Sequence, residues 1–229
     1  MGIDSVAVIG GTGHEGFGLA ARWAKAGIET IVGSRDKRRA EDAARRLEER
    51  VPEGRVQALE NRDAAAAARV VVVAVPFSGQ AVIYKSIADH IGSDTVVVDC
   101  TVPLAASIGG RPTRVLGVWE GSAAQQASAL LPKGATICSA FQNLPAAALH
   151  DLNAEIDADV LVTGSKAGKP AVKDLVEAIP NLRYVDGGPL ENARIVESIT
   201  ALLVGINHRY GTDRSGFRLT GLPEPRPRD

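Results

Sequence analysis

Val6-Ala-Val-Ile-Gly10-Gly-Thr-Gly-His-Glu-Gly16 decides the fold of this chain. Its first four residues are a short apolar run ending in glycines, the pattern of a strand covered on both faces. Gly11, Gly13 and Gly16 then stand in the spacing G-x-G-x-x-G. Alone, that spacing describes any glycine-rich turn. Here it follows the first strand directly and opens a helix predicted over 17–26, which is the context of a dinucleotide-binding turn. Gly11 permits the tight turn, Gly13 lets the backbone approach a pyrophosphate, and Gly16 lets helix and strand pack closely. The helix start offers amide donors and a partial positive charge to the anion.

The rest of the chain extends this unit. Gly27 ends the first helix, and a second strand is predicted over 29–32. A charged helix over 36–50 leads to a possible strand at 56–59 and an alanine helix at 62–68. A fully apolar strand over 70–75 stops at Pro76. Further elements are a helix over 80–90, a strand over 95–99, a helix over 123–131 and a strand over 135–140. This alternation predicts an α/β, Rossmann-type, doubly wound and mostly parallel sheet with helices on both faces. After residue 149 the pattern continues on a smaller scale: a strand at 160–162, a helix at 169–178 and a strand at 183–185. Gly187-Gly-Pro189 reads as a tight turn placing Pro at the first helical position. A long final helix over 190–209 carries Ile195, Ile199, Leu202 and Ile206 in one stripe, widened by Val196 and Leu203. Such a surface suggests burial against a partner subunit or the first domain. The expected organisation is a dinucleotide-binding domain at 1–148 and a small C-terminal α/β extension at 149–229. Pro223-Glu-Pro-Arg-Pro227 reads as an extended tail.

Composition bounds the function. The chain has 229 residues, 45% hydrophobic and 23% charged, enough to bury a substantial core. Aromatics are only 4%, so that core rests on Ala, Val, Leu and Ile. The net charge of −1 lacks the basic excess of a nucleic-acid or anionic-membrane binder. No apolar run reaches the roughly 18 residues of a membrane span, and no signal peptide precedes the first strand. A cytoplasmic protein is expected. Cys100 and Cys138 have no metal-ligand spacing and read as buried thiols.

The end of the second strand discriminates between dinucleotides. An NAD site offers Asp or Glu to the ribose hydroxyls about 20 residues past the glycines. Here the strand ends Val32-Gly-Ser-Arg35, followed by Lys37, Arg38 and Arg39. Ser34 can bond a 2′-phosphate, and Arg35 can stack on adenine while contacting that phosphate. Lys37 and Arg38 can equally be a solvated helix start, and Asp36 reads as the helix-start residue. The pattern favours NADP(H). Remaining contacts are expected at carboxyl ends of strands: Val75-Pro76, Thr101-Val102-Pro103 and Ala140-Phe-Gln-Asn-Leu-Pro145. Three proline-bearing loops there suggest rigid walls around a flat ring.

The chain resembles the family of NADPH-dependent coenzyme F420 reductases, the F420H2:NADP oxidoreductases. The resemblance rests on Ala7-Val-Ile-Gly-Gly-Thr-Gly13, Val32-Gly-Ser-Arg35, Asp99-Cys-Thr-Val-Pro103, Trp119-Glu-Gly-Ser-Ala-Ala124, Ser139-Ala-Phe-Gln-Asn-Leu-Pro-Ala146, Gly187-Gly-Pro-Leu-Glu-Asn-Ala-Arg194 and Arg218-Leu-Thr-Gly-Leu-Pro223. It implies reversible hydride transfer between NADP(H) and the 5-deazaflavin coenzyme F420 as co-substrate. It further implies a pyrophosphate held by Thr12, Gly13, His14 and Glu15, and a 2′-phosphate held by Ser34, Arg35 and Arg39. Val75, Val102 and Ala146 would line the nicotinamide side. Gln142, Asn143, Leu144 and Pro145 would border the deazaflavin, beside Pro103. Family members differ at the position of Gln142, which leaves the deazaflavin hydrogen bond open.

No Ser-His-Asp set, metal cluster or carboxylate pair stands out, and the four histidines are scattered. Direct hydride transfer between stacked rings needs proximity, orientation and water exclusion rather than an acid–base residue, so no catalytic residue and no metal are expected. His14 reads as a loop surface group and His208 as a surface residue. Asp99 reads as a cap of the turn that follows it, or as a partner of the carboxamide. Arg194 and Glu197 read as an i, i+3 ion pair, or Arg194 reaches toward an acidic cofactor tail. Two other readings keep the fold. An NADP-dependent reductase of a small imine or hydroxy acid usually carries a catalytic Lys or proton donor on the long helix, and 190–209 contains no Lys. A non-catalytic NADP(H) sensor would keep the glycines and Arg35 without an apolar site for a second ring. The partners expected are small molecules and a second copy of the chain as a homodimer.

Overall fold

The computed structural model describes residues 2–223. The tail expected over 223–227 lies, beyond Pro223, outside the described residues. Eight strands form one sheet: β1 (Ser5–Ile9), β2 (Glu29–Ser34), β3 (Val56–Glu60), β4 (Val70–Val73), β5 (Val96–Asp99), β6 (Thr136–Ser139), β7 (Ala158–Gly164) and β8 (Leu182–Gly188). Their order is β3-β2-β1-β4-β5-β6-β7-β8. All neighbours pair in parallel except β6 and β7. Helices α1 (His14–Lys25), α2 (Lys37–Arg50), α3 (Asn61–Ala67), α4 (Phe77–Ile87), α5 (Ala123–Leu130), α6 (Ala146–His150), α7 (Lys169–Glu177) and α8 (Ala193–Tyr210) connect and follow the strands.

Val6, Val8, Val71 and Val72 are fully buried, as continuous apolar strands between two helical layers must be. Two apolar clusters result, one on each face. The larger holds Trp23, Phe141, Leu175 and Val160; the smaller holds Ile9, Ile31, Tyr84 and Ile137. Trp23 meets Phe141 edge-on at 5.5 Å and donates its indole N–H to Leu175 O at 2.9 Å. Cys100 and Cys138 are buried free thiols. The Arg22 guanidinium of α1 donates to four carbonyls, Ala148 (2.7 Å), Leu149 (3.2 Å), Asp151 (2.5 Å) and Ala154 (2.9 Å). It thereby fastens 148–154 to the helix that leaves the glycine loop.

Several elements differ from expectation. The short helix α6 is extra, because Pro145 caps an alanine run too brief to show periodicity. Strands β7 and β8 are longer than predicted, and Gly187 and Gly188 belong to β8 rather than to a turn. Pro189 sits before a single 3₁₀ turn (Leu190–Asn192), and α8 starts only at Ala193. Between β5 and α5 a 3₁₀ turn (Ala105–Ile108) and a Leu104–Val115 bridge fill a stretch with no predicted structure. β7 joins the sheet antiparallel to β6, so residues after 149 extend the same sheet.

The order reverses at β1. Its chain leaves toward β2 on one side, and β4 lies on the other. Crevices in open α/β sheets form beyond the carboxyl ends of strands at such a switch point. The glycine loop starts there.

Candidate active site

The loop from Gly10 to Gly16 is shaped by contacts that a side chain would occupy. Gly10 has φ +82°, and a Cβ on it would lie 2.5 Å from Ala74 O. A Cβ on Gly11 would approach Val8 O to 2.9 Å, and one on Gly16 would approach Gly10 O to 2.6 Å. All three obstacles are backbone atoms and cannot swing aside. The Gly13 amide closes the turn on Gly10 O at 2.8 Å. Gly13 also serves as the N-cap of α1, so no side chain occupies the amides of the first turn. An anion is the natural partner of such a terminus. His14 is exposed, stacked on His150 at 4.2 Å. Its carbonyl meets His150 Nε2 at 2.7 Å, which fits a loop surface group.

At the end of β2, Ser34 is buried and its Oγ accepts the Asp36 amide at 3.3 Å. Asp36 caps α2, accepting Arg38 N at 2.9 Å and Arg39 N at 3.5 Å. The acid nearest the ribose station is thus occupied as a helix cap. Arg35, Lys37, Arg38 and Arg39 are exposed, and none pairs with a carboxylate among the described residues. Asn61, which opens α3, is buried, with its Oδ1 unpartnered beside Gly33. Nothing in the sequence marked it.

Beyond β4, the Ala74 amide continues the ladder to Ile9 O, Val75 is half-buried, and Pro76 caps α4. Beyond β5, Asp99 is fully buried. Its carboxylate accepts from Tyr84 Oη (2.9 Å), Thr101 Oγ1 (3.0 Å) and Gln80 Nε2 (3.2 Å). Burial pushes its pKa up to about 6, against the lowering effect of those donors. Gln80 also donates to Ala123 O and accepts from Gln126, which ties α4 to α5. Val102 is half-buried and Pro103 buried.

Beyond β6, Phe141 is buried at φ +74°, a conformation uncommon for a residue with a Cβ. It turns the chain so that Gln142 Nε2 reaches Asp99 O at 3.2 Å and also Ser139 Oγ. Asn143 Nδ2 donates to Asp159 O at 2.7 Å, and Thr200 of α8 bonds Gln142 O at 2.9 Å. Gln142, Asn143, Leu144 and Pro145 are all buried, whereas Ala146 is half-buried. The two carboxamide oxygens, Gln142 Oε1 and Asn143 Oδ1, have no partner among the described residues. This loop is a packed wall anchored to β5 and β7.

The structure therefore brings the expected residues to one edge of the sheet, at the carboxyl ends of β2, β1, β4, β5 and β6 in that spatial order. It corrects one pairing. Arg194 faces Glu191 at 3.8 Å, not Glu197. Glu197 is buried and accepts the Ala123 and Ala124 amides at 2.9 and 3.0 Å, capping α5 from α8. Burial, and secondarily Asp99, push its pKa up to about 8 despite those amides. Gln80 and Tyr84 escaped the sequence reading, as did the buried roles of Thr101 and Glu197, since nothing short-range marks a buried polar network.

A tight glycine loop at the switch point that leaves α1 uncapped, followed by a basic strand end whose nearest acid caps α2, is the arrangement of a dinucleotide-binding α/β protein. Residues 5–103 match the family model described as NADP oxidoreductase, coenzyme F420-dependent. The F420-dependent NADP reductase of Methanothermobacter thermautotrophicus is 43% identical over 97% of both chains. At this identity and coverage, the chain belongs to the F420-dependent NADP reductase family. A solved structure from Arthrobacter sp., provisionally named an F420-dependent NADP reductase, superposes with a TM-score of 0.80. It is 23% identical and covers 96% of this chain and 100% of that one, and so speaks for the fold. An imine reductase from Streptomyces aurantiacus shares the fold more distantly, at TM-score 0.57 and 17% identity over 90% of this chain and 62% of that one.

Proposed function

We propose that this chain catalyses reversible hydride transfer between NADP(H) and coenzyme F420. The observation that carries this reading is the near-full-length identity to an F420-dependent NADP reductase. The residues fit the first cofactor. Gly10, Gly11 and Gly16 let the loop fold tightly on its own backbone, where a Cβ would clash, and Gly13 leaves the first turn of α1 without a side-chain cap. Thr12, Gly13, His14 and Glu15 would lie along the pyrophosphate. Ser34, Arg35 and Arg39 offer a hydroxyl and two guanidiniums to a 2′-phosphate. Val75, Pro76, Val102 and Ala146 would face the nicotinamide. Pro103 and 142–145 form the wall behind the second ring.

When bound, the two cofactors supply the hydride donor and acceptor. The chain's own work is to hold two flat rings together and to exclude water. Asp99 fixes Tyr84, Gln80 and Thr101 at the base of that wall, and Phe141 sets its turn. No side chain is assigned a proton transfer. Gln142→Ala is accordingly expected to lower turnover through loosened packing by fewer than about four decades, as losing one acid–base group typically costs 10²–10⁴-fold. Steady-state kinetics with saturating cofactors check this, and a deeper loss would reinstate a proton-transfer residue. The function itself is tested by mixing the protein with NADPH and oxidised F420. Bleaching of the deazaflavin absorbance is expected. Tight NADPH binding without bleaching would favour a sensor instead.

The segment 149–229 is assigned to cover the deazaflavin side and to pair subunits. The stripe on α8 supports the second role. Val196 and Leu203 are buried against the fold, while Ile195 and Leu202 are 59% and 63% exposed. Two large aliphatics on one face of a helix favour a second copy of that face. Leu202→Glu is expected to convert a homodimer to a monomer in sedimentation velocity with the far-UV spectrum unchanged. A wild-type monomer would refute the assignment. Among the described residues no helix is long and apolar enough to cross a membrane.

A further inference from the structure

Glu15 is the only acidic residue between Gly10 and Gly16. It stands in the first turn of α1, whose amides have no side-chain cap and are the ones assigned above to the pyrophosphate. A carboxylate there would compete with the anion that the loop is shaped to hold. Its surroundings sharpen the conflict. Glu15 Oε1 is buried and has no hydrogen-bond partner among the described residues. The charges that face it across the crevice are negative or neutral: Asp99 at the end of β5, and the Cys100 thiol next to it. Around Asp99 stand Tyr84 from α4 and Glu197 from α8. On its own helix, His14 turns away to stack on His150, and Arg22 is engaged by four carbonyls.

Asp99 and Glu15 differ in what supports a charge. Asp99 has three side-chain donors and is the group that ionises first. Glu15 has none through Oε1, and burial together with the Asp99 charge pushes its pKa up to about 8. A pyrophosphate at the same helix terminus adds negative charge to a weakly screened site, which disfavours ionisation further. We propose that the dinucleotide binds only when Glu15 is protonated, so that this carboxyl meets the cofactor as a neutral hydrogen-bond donor. Binding and ionisation of Glu15 then exclude each other. The inference rests on the dinucleotide reading of the loop given above.

The sign follows from linkage. Below its pKa Glu15 is already neutral, and affinity is independent of pH on its account. Above about pH 8 the neutral fraction falls about tenfold per pH unit, and the NADPH dissociation constant rises in step. The test is a fluorescence titration of NADPH from about pH 7 to about pH 9.5 with the full chain. Wild type is expected to weaken by roughly 30-fold between about pH 7 and about pH 9.5, and Glu15→Gln to stay flat, since the carboxamide keeps a donor and cannot ionise. Glu197 titrates in the same range but is bonded to α5, so a slope that survives Glu15→Gln would overturn the assignment to Glu15. A flat wild-type profile would also overturn it. Calorimetry on wild type alone gives an independent reading. NADPH binding at about pH 9 in buffers of different ionisation heat is expected to take up close to one proton, and uptake of none refutes the proposal. A chain that binds no NADPH at any pH would instead overturn the dinucleotide reading itself, and this inference with it.

Discussion

Replacing Arg35 by Asp is expected to weaken NADPH binding by about two to three orders of magnitude while changing NADH binding by less than about threefold. The asymmetry follows from the position of the residue. Arg35 is exposed immediately after β2, next to the buried Ser34, and no carboxylate among the described residues neutralises it. Charge reversal removes a guanidinium–phosphate pair and adds repulsion, which together amount to roughly 3–4 kcal/mol at a partly exposed site. NADH carries no 2′-phosphate and keeps the loop contacts. The new Asp also stands where ribose hydroxyls seek an acceptor, which offsets the lost adenine stacking. Parallel titrations with the two reduced dinucleotides check this. Equal losses would show that the basic segment 35–39 is a solvated helix start and that the 2′-phosphate assignment is wrong.

An equally large effect is expected from Gly16→Ala. The added methyl would lie 2.6 Å from Gly10 O and 3.1 Å from both Gly10 C and Gly11 Cα. Every obstacle is backbone, and Gly10 is itself held at φ +82° against Ala74 O. Relief requires α1 to withdraw from the loop, which dilutes the cradle and strains its packing against the sheet. Overpacking of this kind costs about 1–3 kcal/mol in stability. Loss of the loop geometry is expected to weaken NADPH by more than about 100-fold, since both loop amides and helix terminus move. Gly79→Ala, on α4 with open space around its Cα, is the matched control. It is expected to be neutral or stabilising by up to about 1 kcal/mol, with binding unchanged. Thermal denaturation together with NADPH titration separates the two variants. Normal binding by the Gly16 variant would show that the loop does not hold the pyrophosphate.

Local chemistry made the first half of the site legible. An apolar run, a glycine spacing and a basic strand end each act over a few residues, and the structure places them together because consecutive βα units share one sheet edge. What lay hidden depends on contacts between distant parts of the chain. Glu197 reads in sequence as one member of a surface pair three residues from Arg194. It is instead a buried cap whose partners, Ala123 and Ala124, are 74 and 73 residues away. The apolar stripe of α8 was visible, but sequence periodicity does not say which edge faces inward. Val196 and Leu203 do, and Ile195 and Leu202 do not. Gly187-Gly-Pro189 has turn chemistry, yet pairing with β7 draws both glycines into a strand. Gln142 and Asn143 read as residues bordering the second ring, and sequence does not show that their amide nitrogens also donate to the backbone of β5 and β7.

The Arg22 clamp bears on the order of folding. Its four bonds span separations of 126 to 132 residues, more than half of the chain. Contacts so distant in sequence form only after the intervening chain has closed, and the closure entropy precedes any reward from the contact. The glycine loop and α1 are complete by Lys25, but the guanidinium that steadies them must wait for carbonyls synthesised much later. A nascent chain stopped before residue 148 would present every glycine of the cradle on a helix without its fastening. The fastening of the glycine loop is therefore available only once residue 154 has been made, although the loop itself is among the first residues to leave the ribosome.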